Sequence, residues 1–147
     1  MERTTGRTPE VSLQDIFLRA AAGLPRPDER SEVVAEALAH LQRGFDSHYA
    51  TEPGGDRRAT DEEILVGDNA YAWAVETIAR LDEPRFVAVA SRMIRDGAGR
   101  IASGGNVSLE LWAPHLGDLL GIISGEDPET SQTRIFRAAD AAGSEGP

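Results

Sequence analysis

Three histidines are the first side chains to consider for chemistry: His40, His48 and His115. A zinc-binding helix typically carries two histidines four residues apart, with a third ligand elsewhere. The first two histidines here are eight residues apart, and no partner carboxylate motif accompanies them. We therefore predict no metal site from the histidines, and we expect His40 to lie on a solvated helix face.

Two acidic clusters, at residues 61–63 and 126–129, are the next candidates. Both lie at predicted helix starts, where carboxylates cap free backbone amides and face the positive end of the helix dipole. A Mg²⁺ site needs carboxylates that project together into a cavity, which this spacing does not predict. The G-x-S-x-G motif and the glycine-rich phosphate loops are absent as well. We predict no catalytic residue, metal or cofactor of the chain's own.

Composition narrows the range of partners. The formal charge is −10, which repels nucleic acid and anionic lipid, so we expect neither as a partner. No stretch approaches the roughly 20 apolar residues of a membrane span. Cysteine is absent, which excludes disulfides and fits a cytoplasmic protein.

The elements that carry these residues are predicted to be helices. Aromatic residues are only 5% of the chain, so the core must come from aliphatic side chains and alanine, a composition that favours closely packed helices. Apolar residues recur at helical spacing, as in Val34, Leu38, Leu41 and Phe45. We predict an all-α fold, a single small bundle of about six helices. The domain spans 11–140, between a flexible N-terminus (1–10) and a flexible tail (141–147).

Local signals give the helix boundaries. Asp28 is a candidate cap for the second helix, and Thr60 with Glu63 forms a predicted capping box for the third. Pro84 suits the first turn of the fourth helix. We expect a short fifth helix between Pro114 and Gly125, then a short last helix.

One segment resembles a known family. Residues 65–74 read LVGDNAYAWA, 81–84 read LDEP and 94–104 read IRDGAGRIASG. The trans-polyprenyl diphosphate synthase family has a similar helix that opens L-x-G-D-x-[LY]-x-A-x-A, then a short turn and a helix ending like I-x-x-x-A-x-G-E. The resemblance implies part of the isoprenoid synthase fold, with these two helices packed as antiparallel neighbours.

The chain also departs from that family. Catalytic members carry D-D-x-x-D before the L-x-G-D helix and again much later, and those aspartates hold Mg²⁺. Here Asp46 stands alone near the first position, followed by His48, and the chain has no second motif. Arg57 and Arg58 are similar to the paired arginines of the family, at shortened spacing. Such losses are typical of the truncated, non-catalytic small subunits of heterodimeric prenyl diphosphate synthases.

The resemblance therefore implies an accessory subunit that binds a catalytic prenyl diphosphate synthase subunit and influences prenyl chain length. Mg²⁺ would belong to the partner, and contact with prenyl diphosphate would be indirect. Gly67 and Asp68 would lie on a docking helix. The candidates beside an apolar tunnel are Tyr71, Trp73, Phe86 and Met93. The candidates nearest the partner's diphosphate end are Asp46, His48, Arg57, Arg58 and Asp68.

Two alternatives remain open. One is a stand-alone helical interaction module of regulatory or immunity type. In it, Gly67 merely allows close helix packing and the aromatic residues belong to the core or its rim. The other is a reduced terpene- or prenyl-processing enzyme, for which Asp61, Glu62 and Glu63 are the available carboxylates. Whether the chain has any activity of its own therefore stays open.

Overall fold

Apolar residues at three- and four-residue spacing form the buried faces of six α-helices in a computed structural model, which describes residues 12–48 and 60–144. No strand occurs within those two ranges. The prediction of an all-α bundle of about six helices is confirmed for the described chain. The helices are α1 (Leu13–Ala22), α2 (Arg30–His48), α3 (Asp61–Ala79), α4 (Pro84–Ala102), α5 (Leu109–Ser124) and α6 (Pro128–Ser144).

Capping residues explain several helix starts. Asp28 accepts a hydrogen bond from the Arg30 amide at 2.9 Å, as expected for a residue that begins α2. Pro84 occupies the first turn of α4, where a proline removes no helical hydrogen bond. The α5 helix begins after Ser108, whose hydroxyl accepts from the Leu111 amide.

The last two helices are longer than predicted. The α5 helix begins at Leu109 and passes through Pro114 instead of starting after it. Pro114 is exposed, and burial of Trp112, Leu116 and their neighbours offsets the single backbone hydrogen bond that the proline removes. The α6 helix reaches Ser144, beyond the predicted boundary at 140. Its last turns are rich in alanine, the strongest helix former.

The core lies where α2, α4 and α5 face the other helices. The most extensive packing joins α2 to α3, followed by α5 to α6. Among the described residues, the largest fully buried side chains are Phe17, Phe86, Ile16, Leu41, Ile78, Met93, Leu116, Leu119, Leu120, Ile135, Val34 and Thr77. Aliphatic residues predominate in this core, as the low aromatic content predicts.

An arginine joins three helices where α2 begins. The guanidinium of Arg30 binds both carboxylate oxygens of Asp28, and its Nη2 also donates to the carbonyl of Ile123 at 3.4 Å. It lies 5.9 Å above the ring centroid of Phe86. These contacts tie the start of α2 to the start of α4 and the end of α5.

A second arginine closes the turn between α5 and α6. Arg134 makes two hydrogen bonds to Glu126, at 2.7 and 2.8 Å, and donates to the carbonyl of Gly23 at 3.0 Å. The end of α1 is thereby held against α6. The hydrogen bonds from Arg134 lower the pKa of Glu126 below its ordinary value. Those from Arg30 lower the pKa of Asp28 in the same way.

We expect the chain to lose stability in acid. A carboxylate whose pKa is lower in the folded than in the unfolded chain stabilises the fold above its unfolded pKa, and this stabilisation disappears as the pH falls through the folded pKa. The free energy of unfolding, measured with urea, should therefore decrease below about pH 4. Arg134→Gln should lower it at pH 7, and the difference from the unchanged chain should shrink in acid.

Arg80→Gln is the control for this prediction, because Arg80 and Glu76 form an exposed pair at 3.3 Å that should stabilise the fold little. If Arg134→Gln lowers the free energy of unfolding equally at pH 7 and pH 3, the ion pair between Arg134 and Glu126 is not the source of the effect.

Candidate interaction site on α2 and α3

Three aromatic rings join the end of α2 to the middle of α3 and the start of α5. Phe45 meets Tyr71 edge-on and Trp112 at a tilt, with ring centroids 5.2 Å apart in both pairs. We call Phe45, Tyr71 and Trp112 the aromatic junction. Trp112 and Phe45 are buried, whereas Tyr71 is half-buried. Tyr71 thus lies between the core and the surface, packed as an aromatic residue of the core rim.

Glycines allow the helices to approach at this junction. A Cβ atom added to Gly44 would lie 2.6 Å from Tyr71 Cδ1 and 3.2 Å from the carbonyl oxygen of Gly67. A Cβ atom added to Gly97 would lie 2.7 Å from Trp112 Cη2 and closer still to the ring of Phe45. Gly67 is buried. Its place at the α2–α3 crossing is the one expected if it merely allows close helix packing.

A buried imidazole borders the junction. His115 Nε2 and Asp96 Oδ2 are 2.9 Å apart, and the His115 side chain is 11% exposed. With the Nε2 proton donated to the carboxylate, Nδ1 is an acceptor, and it has no hydrogen-bond partner in the described chain. Sequence reasoning missed this pair, because its members lie on different helices. The available signal was the position of His115 on the apolar face of α5.

The predicted diphosphate-end residues are only partly described. Asp46, near the end of α2, and Asp68, near the start of α3, are both exposed. Asp46 borders a shallow surface pocket together with Ser12, Ala39, Gln42 and Arg43. His48 is the last residue of α2, and its side chain lies outside the description. Arg57 and Arg58 lie outside the described residues altogether. The structure therefore describes the side chains of two of these five candidates, Asp46 and Asp68, and does not show them in contact.

Trp73 is an exposed aromatic residue beside a histidine. Its side chain is 51% exposed, and its ring stacks on His40 with centroids 6.2 Å apart. His40 also lies between Arg43, which is in hydrogen-bond contact with Nδ1, and Glu36, 3.8 Å from Nε2. The sequence predicts that His40 lies on a solvated helix face. Its side chain is 20% exposed, and its neighbours Glu36, Arg43 and Trp73 are exposed, so the face is solvated while the imidazole itself is partly covered.

Phe86 and Met93, which the resemblance places beside an apolar tunnel, are core residues of this chain. Both side chains are 0% exposed within the chain's own core. Their apolar face on α4 packs inward, as its spacing predicts. Both residues are therefore covered by the chain itself, and their place beside an apolar tunnel stays a prediction.

An apolar strip remains on the surface of α3. Leu65 is 61% exposed, Val66 44% and Trp73 51%, and Ala72 between them is also exposed. We call these four residues the α3 strip. Large apolar side chains grouped on one exposed helix face mark interaction sites more often than scattered ones do. The α3 strip is the best candidate site on the described surface.

The acidic start of α3 and a surface groove are the other features to consider as sites for chemistry. Within residues 12–48 and 60–144, no group of three or more potential metal ligands occurs. Asp61 and Glu62 are exposed at the start of α3. An open groove of about 390 Å³ runs between α4 and α5. Its arginines are already paired, Arg85 with Glu83 at 2.9 Å and Arg92 with Asp118 at 3.7 Å.

No protein-family model, curated protein or solved structure matches the chain. In the part of the chain that the structure describes, none of the helices has the length and apolar character needed to cross a bilayer.

Proposed function

We propose that the chain is a non-catalytic accessory subunit that binds a catalytic prenyl diphosphate synthase subunit through the α3 strip and influences prenyl chain length. The observation that carries the proposal is the exposure of Leu65, Val66 and Trp73. These three residues belong to the segment 65–74 that resembles the synthase family. Their side chains leave an apolar surface that burial against a partner would stabilise.

The alternation of burial along segment 65–74 supports an interface on this helix. Gly67, Ala70 and Ala74 are buried against the chain's own core. The strip residues lie on the other side of α3, so they are available to a partner without unfolding. The α3 and α4 helices also contact each other, as the resemblance requires of neighbours.

Because Phe86 and Met93 are buried, direct contact with a partner that influences prenyl chain length would involve exposed residues on α3. With those two in the core, Trp73 is the tunnel candidate that is exposed at the proposed interface. A bulky side chain on α3 could close the apolar tunnel of the catalytic subunit from outside. Mg²⁺ and the diphosphate would then be held by the partner.

The test is co-purification of the chain with a prenyl diphosphate synthase that has both D-D-x-x-D motifs, followed by product analysis. We expect a stable complex and a product length that changes on mixing. Trp73→Ala should weaken the complex by tenfold or more, because exposed tryptophans at interfaces are frequent hot spots. Phe136→Ala is the matched control, since Phe136 is a 42% exposed aromatic residue on α6.

The proposal would be wrong if the synthase did not bind, or if Trp73→Ala and Phe136→Ala lowered the affinity equally. A stand-alone interaction module is the second candidate, favoured by the same strip because apolar exposure does not specify a synthase. The reduced-enzyme alternative is tested separately by incubating the chain alone with an allylic diphosphate and Mg²⁺. Turnover without a partner would favour it.

A further inference from the structure

We propose that the partner segment seated on the α3 strip is an amphipathic helix whose apolar side chains are bordered by arginine or lysine. This inference rests on the proposed function, because it takes the same strip as the interface. It goes further by stating the chemistry of the occupant.

The spacing of the strip fits a helix. From Leu65 to Glu76 the exposed positions of α3 recur every three or four residues, through Asn69 and Ala72. The eleven residue steps from Leu65 to Glu76 extend about 16 Å, the length of three helical turns. Helices that dock on such a surface use anchors at positions i, i+3, i+4 and i+7. The small Ala72 beside Trp73 leaves room for one such anchor.

The charge around the strip indicates the sign of the charge on the partner segment. The α3 helix contains five carboxylates and no basic residue: Asp61, Glu62, Glu63, Asp68 and Glu76. Of these, the four with described side chains are all exposed. All four lie three or four residues from a member of the strip, so they share its side of the helix.

The neighbouring helix adds little positive charge to this face. Glu36 on α2 is exposed and lies 3.8 Å from the imidazole that stacks on Trp73. Arg43 is in contact with that same imidazole, and Arg80 is paired with Glu76. The described border of the strip therefore carries more carboxylates than guanidinium groups. Basic residues beside the partner's apolar anchors would complement it.

The same charges disfavour a second copy of this chain as the occupant. Two α3 strips placed face to face would bring the acidic borders together. The chain as a whole also has a formal charge of −10, which adds repulsion between copies. A basic amphipathic helix satisfies both the apolar and the electrostatic requirement, whereas a second copy satisfies only the first.

The experiment uses three labelled peptides of about 18 residues, long enough to form helix on binding. They share one leucine stripe and differ in its border, which is arginine, glutamine or glutamate. A fourth peptide has the arginine composition in scrambled order. Binding to the full chain is measured by fluorescence anisotropy at low and high NaCl. We expect the arginine peptide to bind at least tenfold more tightly than the glutamine peptide, and to weaken at high salt.

Variants of the chain locate the binding. The double variant Asp68→Asn with Glu76→Gln should bind the arginine peptide about tenfold more weakly, and so should Trp73→Ala. Glu29→Gln with Glu110→Gln removes the same number of exposed carboxylates elsewhere and should leave the affinity unchanged. Equal binding of the scrambled peptide, or of the glutamate peptide, would overturn the inference. So would a dimer in sedimentation that Trp73→Ala dissociates.

The outcomes separate this inference from the proposed function. If the arginine peptide is preferred but no synthase binds, the proposed function fails and the chemistry of the partner stands. If a synthase binds with an affinity that neither salt nor the Asp68–Glu76 double variant changes, the partner chemistry fails instead.

Discussion

Phe86→Ala should lower the free energy of unfolding by about 3–5 kcal/mol, the usual range for truncating a fully buried phenylalanine. The ring is 0% exposed and packs in the first turn of α4. Its loss would leave a cavity, and it would also remove the aromatic face beneath the guanidinium of Arg30, which lies 5.9 Å from the ring centroid. Urea denaturation followed by far-UV circular dichroism measures the change.

Trp73→Ala is the informative comparison for that variant. The indole is half exposed, so its truncation should change the free energy of unfolding much less than Phe86→Ala does, while weakening partner binding. Truncating a core residue lowers the free energy of unfolding, whereas truncating an interface residue lowers the affinity for the partner. If Phe86→Ala leaves the unfolding midpoint unchanged, the assignment of Phe86 to the core is wrong.

The helices themselves follow from the sequence because their causes are local. Apolar spacing, Asp28 as a cap and Pro84 in a first turn act within a few residues. The described chain has the predicted number of helices. The errors lie where tertiary packing outweighs a local signal, as at Pro114, through which α5 continues because the flanking residues are buried.

The candidate site was less predictable, because it depends on how separate helices align. An apolar stripe in the sequence predicts which side chains are buried from solvent. It does not show whether the same chain or a partner buries them. Phe86 and Trp73 were therefore placed in the same group from the sequence, although the structure buries one and exposes the other. The Asp96–His115 pair likewise depends on the register of α4 against α5.

Gly97→Ala is the second variant with a large expected effect. The added methyl group would meet Trp112 Cη2 at 2.7 Å and the Phe45 ring closer still. Two buried aromatic rings cannot both move without disturbing α2 and α5. Overpacking of this kind typically costs 1–3 kcal/mol and occasionally more, which should exceed the gain of up to about 1 kcal/mol that alanine brings to a helix interior.

Gly99→Ala on the same helix separates these two effects. An added Cβ atom there meets nothing within 4 Å, so only the helix-propensity gain remains and the variant should be slightly stabilised. Urea unfolding of both variants, with near-UV circular dichroism to report the packing of Trp112, tests the pair. Opposite signs would mean that Gly97 is required by the aromatic junction. Stabilisation of both would mean that Phe45 and Trp112 can yield, and that the junction does not hold α2, α4 and α5 in the register that pairs Asp96 with His115.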